Sequence, residues 1–176
     1  MVKLSKKLYL SEERNVKLSI NGYAKINLTL DVLAKRADGF HEVEMVMQSV
    51  ALADKVSFES ADELVLNCSH SSLPVNEENL VMRTAVYLQE LFKVAKGARI
   101  SLVKNIPLAA GLAGGSSDAA ATLYGLNLLW DLRLTTAELV NIGQNLGSDI
   151  PFCVIGGTAL AKGRGEKLTL LPKLPK

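Results

Sequence analysis

Small residues crowd one stretch of this chain: Pro107, Leu108, Ala109, Ala110, Gly111, Leu112, Ala113, Gly114, Gly115, Ser116, Ser117, Asp118, Ala119 and Ala120. Glycine lets a backbone approach a ligand closely and take positive φ. A helical pattern starts directly after the stretch. Exposed amides at a helix start, with the helix dipole behind them, make an anion site. Ser116 and Ser117 add hydroxyl donors, so the chemistry on offer is the cradling of phosphate. The stretch fits neither GxxxxGK[ST] nor GxGxxG, which sets aside the two common nucleotide-loop patterns. A plainer reading is a tight loop packed on a helix of small residues. Cys68 and Cys153 have no CxxC or Cys/His spacing and read as free, buried thiols acting as small hydrophobes.

The elements that must position this stretch are partly visible. Ile26, Leu28, Leu30 and Val32 alternate with Lys25, Asn27, Thr29 and Asp31, which predicts a half-buried strand. Asp38-Gly39 marks a turn, and Val43, Met45 and Met47 begin a second alternating run, so a hairpin with a polar loop from Lys35 to His41 is expected. Further strands are expected at 55–58, 64–67, 99–103 and 158–161. Val81, Ala85, Leu88 and Phe92 form a helical stripe ended near Gly97, and Ala119, Leu123, Leu126 and Trp130 form another. Thr135 with Glu138 announces a third helix through a capping box, stopped by Gly147. Trp130, Met45 and Met47 read as core. Strands first and helices later predict an α+β fold rather than a doubly wound parallel sheet.

Composition narrows the classes further. The 176 residues are 48% hydrophobic and 22% charged, with a net charge of +2. That excludes a disordered chain, a collagen-like repeat and a disulfide scaffold. The charge balance argues against a nucleic-acid partner, since the only basic cluster, Lys3 to Lys7, falls in a patternless segment. No run approaches the ~18 apolar residues of a spanning helix, and the first 15 residues do not form a secretory signal. A cytoplasmic protein with no membrane partner is expected, and residues 1–15 read as a flexible leader.

Four segments together resemble the GHMP kinase superfamily. The small-residue stretch is similar to its Pro-x-(Gly/Ala)-x-Gly-Leu-(Gly/Ala)-(Gly/Ser)-Ser-Ser loop. Tyr23-Ala24-Lys25-Ile26-Asn27-Leu28 resembles its Pro-Ala-Lys-Ile-Asn-Leu. Arg36-Ala37-Asp38-Gly39-Phe40-His41 resembles Arg-x-Asp-Gly-Tyr-His, and Gly147-Ser148-Asp149-Ile150-Pro151-Phe152 resembles Gly-(Ala/Ser)-Asp-(Val/Ile)-Pro-Phe. The four together point to the branch that phosphorylates a cytidine-diphosphate-linked methylerythritol in non-mevalonate isoprenoid synthesis. The resemblance covers residues 20 to about 170.

The resemblance implies an α+β fold like ribosomal protein S5 domain 2, a sheet packed against helices, over residues 16–176. It implies ATP and Mg²⁺ as cofactors, with ATP held by residues Pro107 to Ser117. It makes Asp149 the base that takes the substrate hydroxyl proton, and Lys25 its matching cation. Asp is a weak base at neutral pH, but a loose phosphoryl-transfer transition state needs little early proton removal, so positioning the hydroxyl is the larger part expected of it. Asn27, Phe40, His41 and Asp118 are implied as substrate-binding, with Phe40 and His41 reading the cytosine ring. Each has a plainer alternative: Asp149 as a helix N-cap before Pro151, Lys25 as a solvated strand residue, Phe40-His41 as an ordinary surface loop.

The chain departs from the family's pattern at Tyr23, where proline is usual, and at Phe40, where tyrosine is usual. It ends at Lys176, before the family's second domain, so the expectation is a one-walled cleft, inactive alone and prone to dimerise through the surface that domain would cover. The rival functions are another GHMP small-molecule kinase, a non-catalytic nucleotide-binding remnant, and RNA binding through the S5-like fold.

Overall fold

A computed structural model of the chain describes residues 18–172; the expected leader, residues 1–15, lies outside them. The first two strands, β1 (Leu18–Lys35) and β2 (His41–Ala61), form the expected hairpin, closed by residues 36–40. Gly39 sits at φ +84° at its tip. β2 is one strand of 21 residues where two were expected, because no glycine or proline interrupts 41–61.

That length lets β2 organise the whole sheet. β1 runs along one edge, from Leu18 opposite Phe58 to Lys35 opposite His41, with three register shifts. The other edge is shared. β4 (Gly97–Val103) pairs with residues 55–61, and β5 (Thr158–Gly163) pairs with residues 43–48. β3 (Leu64–Cys68) lies parallel to β4, and β6 (Lys167–Leu170) is antiparallel to β5. A single parallel pair in an otherwise antiparallel sheet matches the α+β expectation. On this second edge, between the two pairings, Ser49 and Asp54 bond to loops instead of a strand. The Ser49 amide donates to the Gly157 carbonyl at 2.9 Å, and Asp54 accepts from the amide of Ile106 at 2.8 Å.

Among the described residues four helices accompany the sheet: α1 (Leu80–Leu91), α2 (Gly114–Leu129), α3 (Thr136–Gln144) and α4 (Ile150–Ile155). Thr135 and Glu138 make the predicted capping box. α2 is central, packing on β1, β2, α1 and α4. Gly125 lets it settle on the sheet, since a Cβ there would stand 2.1 Å from the Phe58 ring. Phe58, Leu88, Ile100, Leu123 and Leu126 fill the main core, and Met45, Met47 and Phe152 a smaller one. Cys68 and Cys153 are both free and half-buried. No helix among the described residues is long and apolar enough to cross a membrane.

The alternation of β1 has a different outcome from the one expected. Ile26, Leu28, Leu30 and Val32 remain 36 to 61% exposed, while Lys25, assigned to the polar face, is buried. The core side of β1 is carried by Ile20 and Ala24, further back along the strand.

Candidate functional site

The small-residue loop ends earlier than its sequence implied. α2 begins at Gly114, so residues 114–117 form its first turn. Ala109, Gly111 and Ala113 lie at φ 54°, 72° and 57°, while the residues between them keep negative φ. Such alternation turns successive amides toward one concavity, an anion nest. Ala109 and Ala113 hold this conformation against a cost of roughly 1–2 kcal/mol each for an L-residue. The N-cap, Ala113, offers no side-chain cap, leaving the first amides of α2 for a ligand.

Not every residue of the stretch faces that concavity. Ser117 is buried; its hydroxyl donates to the Gly114 carbonyl at 2.9 Å, and its amide donates to the Ala113 carbonyl at 2.9 Å. Both its donors are therefore used inside the helix. A Cβ on Gly114 would meet Ile106 and the Lys104 Nζ at 3.2 Å, so that glycine serves packing from below rather than ligand approach.

Two adjoining cavities flank the loop. One, of about 180 Å³, is lined by Lys104 and residues 107–115. The other, of about 280 Å³, is largely apolar, with Leu73, Pro74, Leu80, Leu102 and Leu108 among its walls. Lys104, Leu108, Ala109 and Gly115 border both. Together they offer an apolar slot beside an amide-lined one.

β1 is fastened to this loop. At Gly22 a Cβ would stand 2.7 Å from the Ser117 carbonyl oxygen, so only glycine lets the strand cross α2 so closely. Three residues on, the Lys25 amide donates to the Leu112 carbonyl at 3.1 Å. The Lys25 Nζ donates to Asn27 Oδ1 at 3.2 Å and stands 3.6 Å from Asp149 Oδ2. Asp149 occupies the N-cap position of α4 yet makes no side-chain cap bond, so its carboxylate serves the ion pair with Lys25 instead.

Beneath the loop lies a buried charge cluster that the sequence reading missed, apart from Asp118. The Lys104 Nζ donates to Asp118 Oδ2 at 2.7 Å and also to Asp54, and all three side chains are at most 4% exposed. Asp118 was expected at the substrate; here it is held below the loop, facing Lys104. Burial pushes its carboxyl up to about 7, against the Lys104 ammonium, which lowers it, and with the neighbouring Asp54 adding to the rise. Burial also disfavours the Lys104 ammonium, but the two carboxylates outweigh it and hold it above its ordinary range. A lone acid in the apolar run Val50 to Val56 was the available signal for Asp54.

Phe40 and His41 lie elsewhere. Both are exposed at the hairpin turn, ten residues beyond Lys25 along β1 and back over the turn. At ~3.3 Å per residue the strand between Lys25 and Lys35 has a contour of about 33 Å, an upper bound because the register shifts bend it. Arg36 bonds Asp38 and Glu42 here, and Arg164 from the β5–β6 turn lies over the Phe40 ring, 4.9 Å from its centroid. The structure thus brings Lys25, Asn27, Asp149 and the loop together, and sets Phe40 and His41 apart at the ribbon's end.

Residues 79–157 match the family model described as the GHMP kinases N terminal domain. The chain is similar to the 4-diphosphocytidyl-2-C-methyl-D-erythritol kinase of Caldanaerobacter subterraneus subsp. tengcongensis, 54% identical over 160 residues, covering 91% of this chain and 56% of that protein. A crystal structure of 4-(cytidine 5'-diphospho)-2C-methyl-D-erythritol kinase superposes with a TM-score of 0.75 at 37% identity, covering 88% of this chain and 55% of that one. Homoserine kinase from Cytophaga hutchinsonii shares the fold, with a TM-score of 0.66 at 21% identity over 96% of this chain and 54% of its own. The chain spans about half the length of the curated relatives it matches.

Proposed function

Since the chain carries a GHMP kinase N-terminal domain, we propose that it forms the ATP side of a small-molecule kinase that phosphorylates the 2-hydroxyl of 4-diphosphocytidyl-2-C-methyl-D-erythritol. The observation that carries this reading is the junction of the loop with Lys25 and Asp149. A nest of amides and an uncapped helix start lie directly beside a buried ammonium and a carboxylate 3.6 Å from it. The apolar cavity suits a flat base, and the amide-lined one suits the phosphates that follow it.

In this reading Gly111 and residues 113–116 hold the β- and γ-phosphates, Lys25 offsets their charge, and Asp149 orients the acceptor hydroxyl and receives its proton late. Lys25, fixed by Asn27 and the Leu112 carbonyl, needs little reorganisation when charge moves onto the bridging oxygen. Among the described residues no three or more His, Cys, Asp or Glu side chains are grouped to hold a metal ion. Mg²⁺, when bound with the nucleotide, would supply further positive charge to the phosphates beside Lys25. Phe40 and His41, at the far end of the ribbon, suit the planar polar ring of a cytidine diphosphate substrate.

The test is phosphoryl transfer from ATP to that substrate by a protein in which this domain is joined to the family's second domain, and by its Asp149→Asn variant. Turnover should fall by roughly 10² or more, with nucleotide affinity held within a few-fold. A loss under about fivefold would leave Asp149 as the ion-pair partner of Lys25 and not the base. Nucleotide binding without turnover in the unaltered protein would favour the non-catalytic alternative.

A further inference from the structure

The Asp54–Lys104–Asp118 cluster is not used in the phosphoryl-transfer reading above, though Lys104 borders both cavities that reading fills and Asp118 the larger of the two. Its composition is unbalanced, with one ammonium between two carboxylates, all buried. The carboxylates are not equivalent. Asp54 accepts from the amides of Asn105 and Ile106 as well as from Lys104. Asp118 has only Lys104, and its Oδ1 is buried with no hydrogen-bond partner. A buried, unpartnered oxygen is far cheaper to keep neutral than charged. Lys104 also lies just under the first turn of α2, its Nζ 3.2 Å from where a Gly114 Cβ would stand. A phosphate in the nest would therefore compete with both carboxylates for one ammonium.

Resting on the nucleotide reading, we propose that Asp118 is a positioning residue that takes up a proton when a nucleotide polyphosphate occupies the loop, freeing the Lys104 charge to support the anion. The step is balanced simply: a proton passes from solvent or buffer to the Asp118 carboxylate, and no other bond is made or broken. The groups around it act in this direction. Asp54 on β2 keeps its amides and stays the acceptor for Lys104. Glu78, preceding α1, lines the apolar cavity and adds negative charge. On the α4 side, Lys25 is engaged with Asp149, and Cys153 is kept a neutral thiol by burial, with Asp149 beside it. Among the described residues no second cation faces Asp118 to hold it ionised once phosphate arrives. With its carboxyl raised to about 7 before any ligand binds, a modest further push suffices at neutral pH.

Calorimetric titration with ADP at pH 7, in two buffers of different ionisation enthalpy, counts the protons exchanged. Subtracting the same measurement on Asp118→Asn removes the ligand's own contribution. The expected difference is an uptake of roughly half a proton at pH 7 that vanishes at pH 5.5, where Asp118 is already protonated. Lys104→Arg, which keeps the charge, should retain the uptake. ADP binding with equal proton counts in both proteins overturns the proposal and leaves the nucleotide reading standing; no binding at all removes both. Should Asp118→Asn fail to fold, ¹³C titration of the Asp118 carboxyl in the unaltered protein decides: a midpoint raised by ADP supports the proposal, and an unmoved one overturns it.

Discussion

The two ends of the β1–β2 ribbon handle charge in opposite ways. At the loop end, Lys25 and Lys104 are buried, each fixed by named partners, and their partners are fixed in turn. At the hairpin end, Arg36, Asp38 and Glu42 pair at the surface, and Phe40 is exposed with Arg164 over one face. Buried charges have strong mutual effects because little water screens them; exposed ones are screened and interchangeable. The difference teaches that the loop end is pre-set, whereas the hairpin end keeps its charged and aromatic side chains in solvent.

Removing one charge from each end gives the sharpest contrast. Lys104→Met would strand two buried carboxylates and should cost about 3–5 kcal/mol of stability by denaturant titration. A loss below about 1 kcal/mol would mean the cluster is wetter than its burial implies. Next in size is Gly111→Val. Its backbone is in the left-handed region and open on its outer side, so the strain should be about 1–2 kcal/mol, read as weaker nucleotide binding with the fold kept. Unchanged ADP affinity would break the link between the nest and the ligand.

A pH series sharpens the loop end further. Asp118 binds its proton more tightly folded, near 7, than unfolded, near 3.8. Its contribution is therefore fully present below pH 3.8 and is lost as pH rises through 7. Stability should drop by about 1 kcal/mol between pH 6 and 8, and Asp118→Asn should flatten that slope. At the other end, Arg36→Ala should leave the denaturation midpoint where it was. A clear shift there would erase the distinction between the ends.

Much of this arrangement was legible in residue order, and the rest fails for identifiable reasons. The hairpin turn, the capping box at Thr135 and the placement of α1 follow from signals within a few residues of one another. The tight small-residue loop running into a helix was legible, but the start of α2 at Gly114, which turns the Ser117 donors into the helix, was not. Alternation in β1 marked two faces but carries no information on which one a neighbour covers, so Lys25 was placed in solvent and Ile26 inside. Asp54 and Lys104 meet across 50 residues, beyond any local pattern. Asp118 was noticed for its place beside the serines, while its role depends on that distant pair.

The sharing of β2's second edge also sets an order of events on the ribosome. Residues 55–61 find β4 some forty positions later, but Met47 waits for Ala159, 112 residues downstream. At ~5–20 residues per second, synthesis leaves that half of the strand without its neighbour for about 6 to 22 s. During this interval a 21-residue strand presents a partly open row of backbone donors and acceptors, flanked by the solvent-facing leucines of its hairpin mate. Such an edge recruits other strands readily. Nascent-chain chaperones would therefore meet this protein before that edge is covered, and slower translation of residues 104–158 should lower its soluble yield.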